Sequence, residues 1–224
     1  DDRTADDRPV ALALHATRPA PGVLAADFAD PAAPRALWKA ALDRLGGRID
    51  VLVNNAGVFE ASPLDAGDDA WVAQWERTMR INLTAAAELS RLAVLHWQTR
   101  RAAGETGDGR LVNVASRAAY RGDSPQHWHY AAAKAGMVGM TKSIARGYAA
   151  DGILAFCVLP GFTMTGMAED YLASRGGDRL LADIPLGRVA TPDEVAEVIR
   201  WCALDAPPSM TGAAIDVNGA SFVR

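Results

Sequence analysis

Short apolar runs alternate with stretches of helical periodicity along most of the chain. The apolar runs predict strands at residues 10–15, 23–26, 49–53, 111–115, 153–159 and 213–217. The periodic stretches predict helices at about residues 30–45, 78–101, 129–149 and 191–203. Strands that alternate with helices and are apolar on both faces form a parallel sheet between two helical layers. We therefore predict an α/β fold, organised as one domain over residues 1–224.

Composition and charge mainly exclude classes of partner and of binding site. The net charge is −4 and no basic patch stands out, so we expect no nucleic-acid partner. No apolar stretch approaches the roughly 20 residues that span a bilayer, and the charged residues 1–8 are unlike a signal peptide. The spacing of Cys157 and Cys202 matches no metal or redox motif, so we expect no metal and a cytoplasmic location.

The strongest chemical signal is the pair Tyr130 and Lys134 in the helix predicted at residues 129–149. Their i, i+4 spacing places both side chains on one helix face, one turn apart. A phenol has a pKa near 10, and moving its proton near neutral pH requires lowering that pKa by about 3, or about 4 kcal/mol. A fixed ammonium group nearby can supply much of this. The pattern alone is also compatible with an ordinary surface helix.

Three further signals follow predicted strands directly. Ser116 comes after the strand at 111–115, Asn54-Asn55-Ala56-Gly57 after 49–53, and Pro160-Gly161 after 153–159. Each alone is compatible with a turn or a cap. Because ligands of parallel sheets bind beyond the carboxyl ends of strands, we expect these residues to meet at one edge of the sheet.

Taken in order, these motifs resemble the short-chain dehydrogenase/reductase family, and most closely its 3-oxoacyl-carrier-protein-reductase-like branch. The resemblance runs from about residue 10 to the C-terminus. Further matching segments are Ile184-Pro185-Leu186-Gly187-Arg188, Thr191-Pro192-Asp193-Glu194-Val195-Ala196, Thr211-Gly212 and Asp216-Val217-Asn218-Gly219. The resemblance implies a Rossmann-type doubly wound parallel sheet with helices on both faces.

The function that the resemblance implies is NAD(P)-dependent interconversion of a ketone and a secondary alcohol, with a 3-oxoacyl thioester or similar carbonyl compound as substrate. Tyr130 would be the general acid in reduction and the base in oxidation, and Lys134 would lower its pKa. Ser116 would orient the carbonyl, and Asn82 would belong to a proton relay. The alternatives are a sugar or polyol dehydrogenase on the same scaffold, or a non-catalytic dinucleotide-binding scaffold or sensor.

The resemblance also implies a set of cofactor-binding residues. Asp27 and Phe28 would lie beside the adenine, and Lys134 would hold the nicotinamide ribose. The other expected contacts are Asn54, Ala56, Gly57, Tyr130, Pro160, Gly161, Thr163 and Thr165. After the strand at 10–15 the chain carries Arg18 and no acidic residue, which favours NADP(H) over NAD(H).

The chain departs from the family pattern in two places. The glycine-rich turn Thr-Gly-x-x-x-Gly-x-Gly and the first strand before it do not occur, and in the order 3-2-1-4-5-6 that strand is the sheet centre. We therefore expect that the strands at 10–15 and 49–53 cannot pair, and that about 30 residues precede Asp1 in the functional protein. In addition, Ser116 lies 14 positions before Tyr130, one more than the family pattern.

Two regions bear on substrate and assembly. Residues 163–185 have mixed polar and apolar character and are expected to set specificity. His127 and His129 flank the expected site and are interpreted as loop or packing residues. The family implies a homotetramer, and an apolar stripe in the helix at 78–101 could serve a partner as well as the core. This stripe consists of Leu89, Leu92, Ala93, His96 and Trp97.

Overall fold

The computed structural model describes residues 10–164 and 177–224, which form two compact units that divide after Ile49. The first unit pairs β1 (Leu14–Ala16) with β2 (Val23–Ala25) in parallel and adds helix α1 (Ala33–Arg44). The Asp30 carboxylate accepts a hydrogen bond from the Ala32 N–H group at 2.8 Å just before α1. After the helix, the glycines at 46 and 47 take positive φ values, which only glycine adopts readily.

The second unit is built on a four-stranded parallel sheet. Its strands are β3 (Val51–Asn54), β4 (Gly109–Val114), β5 (Ile153–Pro160) and β6 (Ala214–Val217), side by side in chain order. As expected, β1 and β3 belong to different sheets within the described residues. The predicted α/β fold is confirmed, and the six strands lie within a few residues of their predicted positions.

Helices in the second unit connect the strands and cover the sheet on both sides. They are α2 (Asp68–Met79), α3 (Ala85–Ala102), α4 (Ala118–Arg121), α5 (Trp128–Tyr148), α6 (Gly177–Ala182) and α7 (Pro192–Leu204). Successive β5 side chains pack on opposite layers. Phe156 and Val158 contact α7 residues such as Cys202, while Cys157 and Leu159 contact α5 residues such as Met137. The continuous apolar run in β5 therefore reflects burial on both faces.

Two predicted boundaries need correction. The long helix predicted from about Thr78 begins at Asp68 as α2, passes through a π-helical turn at Arg80–Thr84 and continues as α3. Asp68 and Asp69 favour the positive N-terminal end of a helix dipole, and Trp71 and Trp75 share one face at i, i+4 spacing. The first strand is also shorter than the predicted 10–15 and covers Leu14–Ala16.

A capping box at Thr191 begins α7. The Thr191 side chain accepts from the Glu194 N–H group at 3.2 Å, and the Glu194 carboxylate accepts from the Thr191 N–H group at 2.8 Å. Over residues 10–164 and 177–224, no helix combines the length and apolar character needed to cross a membrane.

Close packing at the start of β4 predicts a size limit at Gly109. A Cβ atom there would overlap the indole ring of the buried Trp97. Gly109→Ala should therefore lower the free energy of unfolding by about 1–3 kcal/mol in urea denaturation. Gly147→Ala in α5, where a Cβ would have nothing within 4 Å, is the control and should raise it by about 0.5–1 kcal/mol. Equal effects of the two substitutions would contradict the packing.

Candidate active site

Three of the predicted catalytic residues meet at the carboxyl end of β4. Ser116 lies two residues beyond the strand, where its hydroxyl is close enough to the Tyr130 side chain to lower the Tyr130 pKa. Tyr130 and Lys134 lie one turn apart near the start of α5, with the Lys134 Nζ atom 5.8 Å from the centre of the Tyr130 ring. The structure therefore brings Ser116, Tyr130 and Lys134 together at one end of the sheet.

Lys134 is an ammonium group inside the protein, with 4% of the residue exposed. Its Nζ atom donates to the Val114 carbonyl oxygen at 2.9 Å and approaches the Met137 sulfur at 3.9 Å. Burial lowers the pKa of Lys134 to about 8. An ammonium group has three donors, so it has the capacity to bind a further hydroxyl or carbonyl oxygen.

The pKa of Tyr130 is raised above its usual value of 10.0, mainly by burial. The hydrogen bond from Ser116 opposes this shift, and the negative charge of Asp123 adds to it. Tyr130 therefore carries its proton at neutral pH, as a general acid requires. Lowering of the Tyr130 pKa by Lys134 stays a prediction.

Asn82 lies in the π-helical turn and is fully buried. Its amide accepts from the Val58 N–H group at 2.8 Å and donates to the Val58 carbonyl oxygen at 2.8 Å. These two bonds hold Gly57 beside the site. A Cβ atom on Gly57 would lie 3.3 Å from Asn82 Oδ1 and 3.5 Å from Lys134 Nζ, so the glycine backbone packs closely against both side chains.

Asn54, predicted to line a cofactor, uses its side chain inside the fold. Its Nδ2 group donates to Asn113 Oδ1 at 2.9 Å and to Ser90 Oγ at 3.1 Å. Asn113 in turn donates to Thr141 Oγ1 at 2.8 Å. This network joins β3, β4, α3 and α5 beneath the site. Because each of these side chains has at least one partner in the network, it holds the strand ends in one arrangement.

The residues predicted after β5 surround a close backbone approach. The Gly161 N–H group donates to the Val217 carbonyl oxygen at 2.9 Å, and a Cβ atom on Gly161 would lie 2.9 Å from the Asn218 Cα atom. Only glycine fits there. Pro160 accepts from the Arg117 N–H group at 2.9 Å, and Thr163 Oγ1 donates to the Gly161 carbonyl oxygen at 3.3 Å. Thr165 lies outside the described residues.

The predicted adenine-side residues lie in the first unit. Arg18 and Asp27 are exposed, and an Asp27 carboxylate oxygen accepts from the Ala29 N–H group at 2.9 Å. Phe28 is buried, with its ring stacked on His15 at a centroid distance of 4.5 Å. The Phe28 ring therefore packs within the unit, while Arg18 and Asp27 are accessible to a ligand.

Sequence reasoning left Phe59 unassigned, and the structure places it next to Tyr130. The Phe59 ring stacks on His127 at 3.9 Å and meets the Tyr130 ring edge-on at 4.8 Å, yet 41% of Phe59 is exposed. Its position two residues after Gly57, beyond the end of β3, was the signal that could have indicated it.

Comparison with known proteins agrees with this arrangement. A family model described as enoyl-(acyl carrier protein) reductase matches residues 2–220. The 3-oxoacyl-[acyl-carrier-protein] reductase FabG of Vibrio cholerae is 34% identical over 89% of this chain and 77% of its own length. The chain belongs to the short-chain dehydrogenase/reductase family of oxidoreductases, in a branch that resembles FabG.

Two solved structures are also similar, each over 90% of this chain and 76% of its own. One is a putative 2-deoxy-D-gluconate 3-dehydrogenase from Agrobacterium tumefaciens with bound NADP, with a TM-score of 0.76 and 28% identity. The other is a blue fluorescent protein from a metagenomic library in complex with NADPH, with a TM-score of 0.74 and 32% identity.

Burial of Lys134 predicts how stability changes with pH. The unfolded chain binds a proton at this lysine below about pH 10.5, whereas the folded protein binds it only below about pH 8. Between these values the unfolded state holds more protons, so the free energy of unfolding rises with pH, by about 2–3 kcal/mol by pH 10. Lys134→Met should lack this rise. The free energy of unfolding of wild type and variant is measured by urea denaturation at pH 7 and at pH 10. A difference between the two proteins that is the same at both pH values would contradict the burial of Lys134.

Proposed function

We propose that the protein is an NAD(P)-dependent oxidoreductase that interconverts a ketone and a secondary alcohol, with a 3-oxoacyl thioester or similar carbonyl compound as substrate. The observation that carries the proposal is the grouping of Ser116, Tyr130 and Lys134 at the end of β4. The similarity to 3-oxoacyl-[acyl-carrier-protein] reductase supports the direction of the chemistry and the substrate class.

In this proposal, reduction combines a hydride and a proton. A nicotinamide cofactor, when bound, would supply the hydride for the carbonyl carbon. The Ser116 hydroxyl donates a hydrogen bond to the carbonyl oxygen and fixes its position, and the Tyr130 hydroxyl gives that oxygen its proton as the negative charge develops. Lys134 stabilises the resulting tyrosinate, and in oxidation Tyr130 takes the proton back.

The residues of the second unit fit the nicotinamide end of such a cofactor. The Lys134 ammonium gives one donor to the Val114 carbonyl oxygen and has donor capacity left for a ribose hydroxyl group, and the Gly57 backbone lies close beside it. Pro160, Gly161 and Thr163 lie at the adjacent strand end. The backbone of Ala56 and Gly57 would also line the nicotinamide end of the cofactor. The Asn54 side chain, by contrast, is bound to Asn113 inside the fold.

NADP(H) is the favoured cofactor. Arg18 is exposed after β1, where an arginine suits a ribose 2′-phosphate, and Asp27 follows β2. Two similar structures hold NADP or NADPH, which supports the same choice.

A sugar-derived substrate is the second candidate, because one similar structure is named as a putative 2-deoxy-D-gluconate 3-dehydrogenase. The exposed Phe59 ring beside Tyr130 favours an apolar substituent over a polyol.

Homotetramer formation and a cytoplasmic location stay predictions. Of the apolar stripe, Leu89, Ala93 and Trp97 are buried in the chain's own core, so a partner could use little of it.

Tyr130→Phe tests the proposed acid. This substitution keeps the ring and removes the proton, so kcat for NADPH-linked ketone reduction should fall by about 10²–10⁴. NADPH affinity, measured by fluorescence titration, should barely change. Tyr148→Phe is the matched control, since Tyr148 ends the same helix about 27 Å further along its axis. A folded Tyr130→Phe protein with near-normal turnover would refute the role.

Arg18→Ala tests the cofactor choice. Wild type should bind NADPH more tightly than NADH. In the variant the ratio of the NADH and NADPH dissociation constants should fall by at least tenfold, because a charge-assisted bond to the 2′-phosphate is lost. Arg35→Ala is the control, since Arg35 is an exposed arginine in α1 of the same unit. Tighter binding of NADH by wild type in the same titration would contradict the assignment.

A further inference from the structure

A narrow pocket opens beside the candidate active site, between the loop after β3 and the first turn of α5. It is lined mainly by Ser62, Trp71, Trp75, Gln126, Trp128 and His129. Nothing in the proposed chemistry uses these side chains. Three tryptophans at one pocket form an apolar, polarisable wall that suits an aliphatic chain.

Two polar atoms in this pocket are buried and have no hydrogen-bond partner. They are the Ser62 hydroxyl oxygen and His129 Nε2, and both residues are more than nine-tenths buried. Buried polar groups are almost always paired, and leaving one unpaired is costly. The closed pocket has no room even for a water molecule, so a ligand group can reach these atoms only when the exposed Trp128 side chain moves aside.

The state of His129 defines what the pocket can bind. Burial lowers the pKa of His129, which favours the neutral imidazole, and the nearby Glu60 backbone carbonyl opposes this shift as an acceptor for the ring. With Nδ1–H donating to that carbonyl, Nε2 is an acceptor. The complementary ligand group is therefore a donor, and the Ser62 hydroxyl can donate to it or accept from it.

A series of aromatic contacts leads from the catalytic tyrosine to this pocket. Tyr130 contacts Phe59, and Phe59 stacks on His127. The His127 and His129 rings are 6.3 Å apart, and the His129 and Trp75 rings are 6.4 Å apart. An apolar chain attached to a carbonyl at Ser116 and Tyr130 would have this surface to follow.

The two loops that form the surface are joined at several points. The Ser62 N–H group donates to the Gln126 carbonyl oxygen at 2.8 Å, and His129 holds the Glu60 backbone. Trp128, by contrast, is 51% exposed, so its side chain can move to admit a ligand group.

We propose that this pocket is a substrate subsite, in which His129 and Ser62 bind a hydroxyl or amide N–H group at the far end of an apolar substituent of the ketone. The inference rests on the proposed function and adds a selective element to it. A site with buried polar groups rejects an analogue that lacks the matching group, because those groups then stay unpaired.

The test compares esters that differ by one hydroxyl. The probes are ω-hydroxyalkyl acetoacetates with two to six alkyl carbons and the n-alkyl acetoacetates of equal length, each reduced with NADPH. At one length, kcat/KM should be at least tenfold higher for the hydroxyl ester. Ser62→Ala should remove most of that preference. It should also raise Tm by about 2–4 °C, because it deletes a buried unpaired hydroxyl.

Thr78→Val is the matched control. The Thr78 hydroxyl is also buried without a partner, but Thr78 does not line the pocket. Its removal should raise Tm similarly and leave the hydroxyl preference intact.

An amide series with N-acetylaminoalkyl acetoacetates distinguishes a hydroxyl ligand from an amide ligand. Turnover of both ester and amide series without preference at any length, or a preference unchanged in Ser62→Ala, would overturn the subsite alone. No turnover of any ketone by the folded protein would contradict the proposed function itself.

Discussion

Burial of one positive charge, the Lys134 ammonium, is the constraint that organises the second unit around its site. A charge in a protein interior needs fixed polar partners, and here the partner is the backbone carbonyl of Val114, the last residue of β4. That bond ties α5 to the end of the strand that also presents Ser116. Tyr130, one turn before Lys134, is thereby brought within hydrogen-bonding reach of Ser116. The charge and the proton donor are placed together by the same helix.

The surroundings of this charge are arranged in two layers. Below it, the paired amides of Asn54 and Asn113 and the Thr141 hydroxyl lock the ends of β3 and β4 to the flanking helices. Above it, the Asn82 amide in a π-helical turn holds the Val58 backbone and packs closely against Gly57. A π-helical turn inserts one residue into a helix, and such turns are frequent at functional sites. Here the turn directs the Asn82 amide toward the Val58 backbone, with which it forms two hydrogen bonds.

Much of the fold was accessible from the sequence because burial on both faces leaves unbroken apolar runs, as in β5, and because the capping box at Thr191 is a local signal. The Tyr130–Lys134 pair was also predictable, since helical spacing fixes their shared face. Other features were not. The π-helical turn around Asn82 and the unpaired Nε2 of His129 depend on contacts between distant segments, whereas the start of α2 had a local signal in Asp68 and Asp69. The sequence also indicated Asn54 as a ligand contact, because a strand-end amide looks the same whether it faces a ligand or the core.

The central claim is that a hydride passes to a carbonyl carbon held at Ser116 and Tyr130. Transfer of a label tests this most directly. The protein is incubated with a 3-oxoacyl thioester and NADPH carrying deuterium at the transferring position of the nicotinamide C4, and the product is analysed by mass spectrometry. The account predicts a 3-hydroxyacyl product one mass unit heavier, with the deuterium on the carbinol carbon. An alcohol product without deuterium, or no reduction of any ketone by the folded protein, would contradict it.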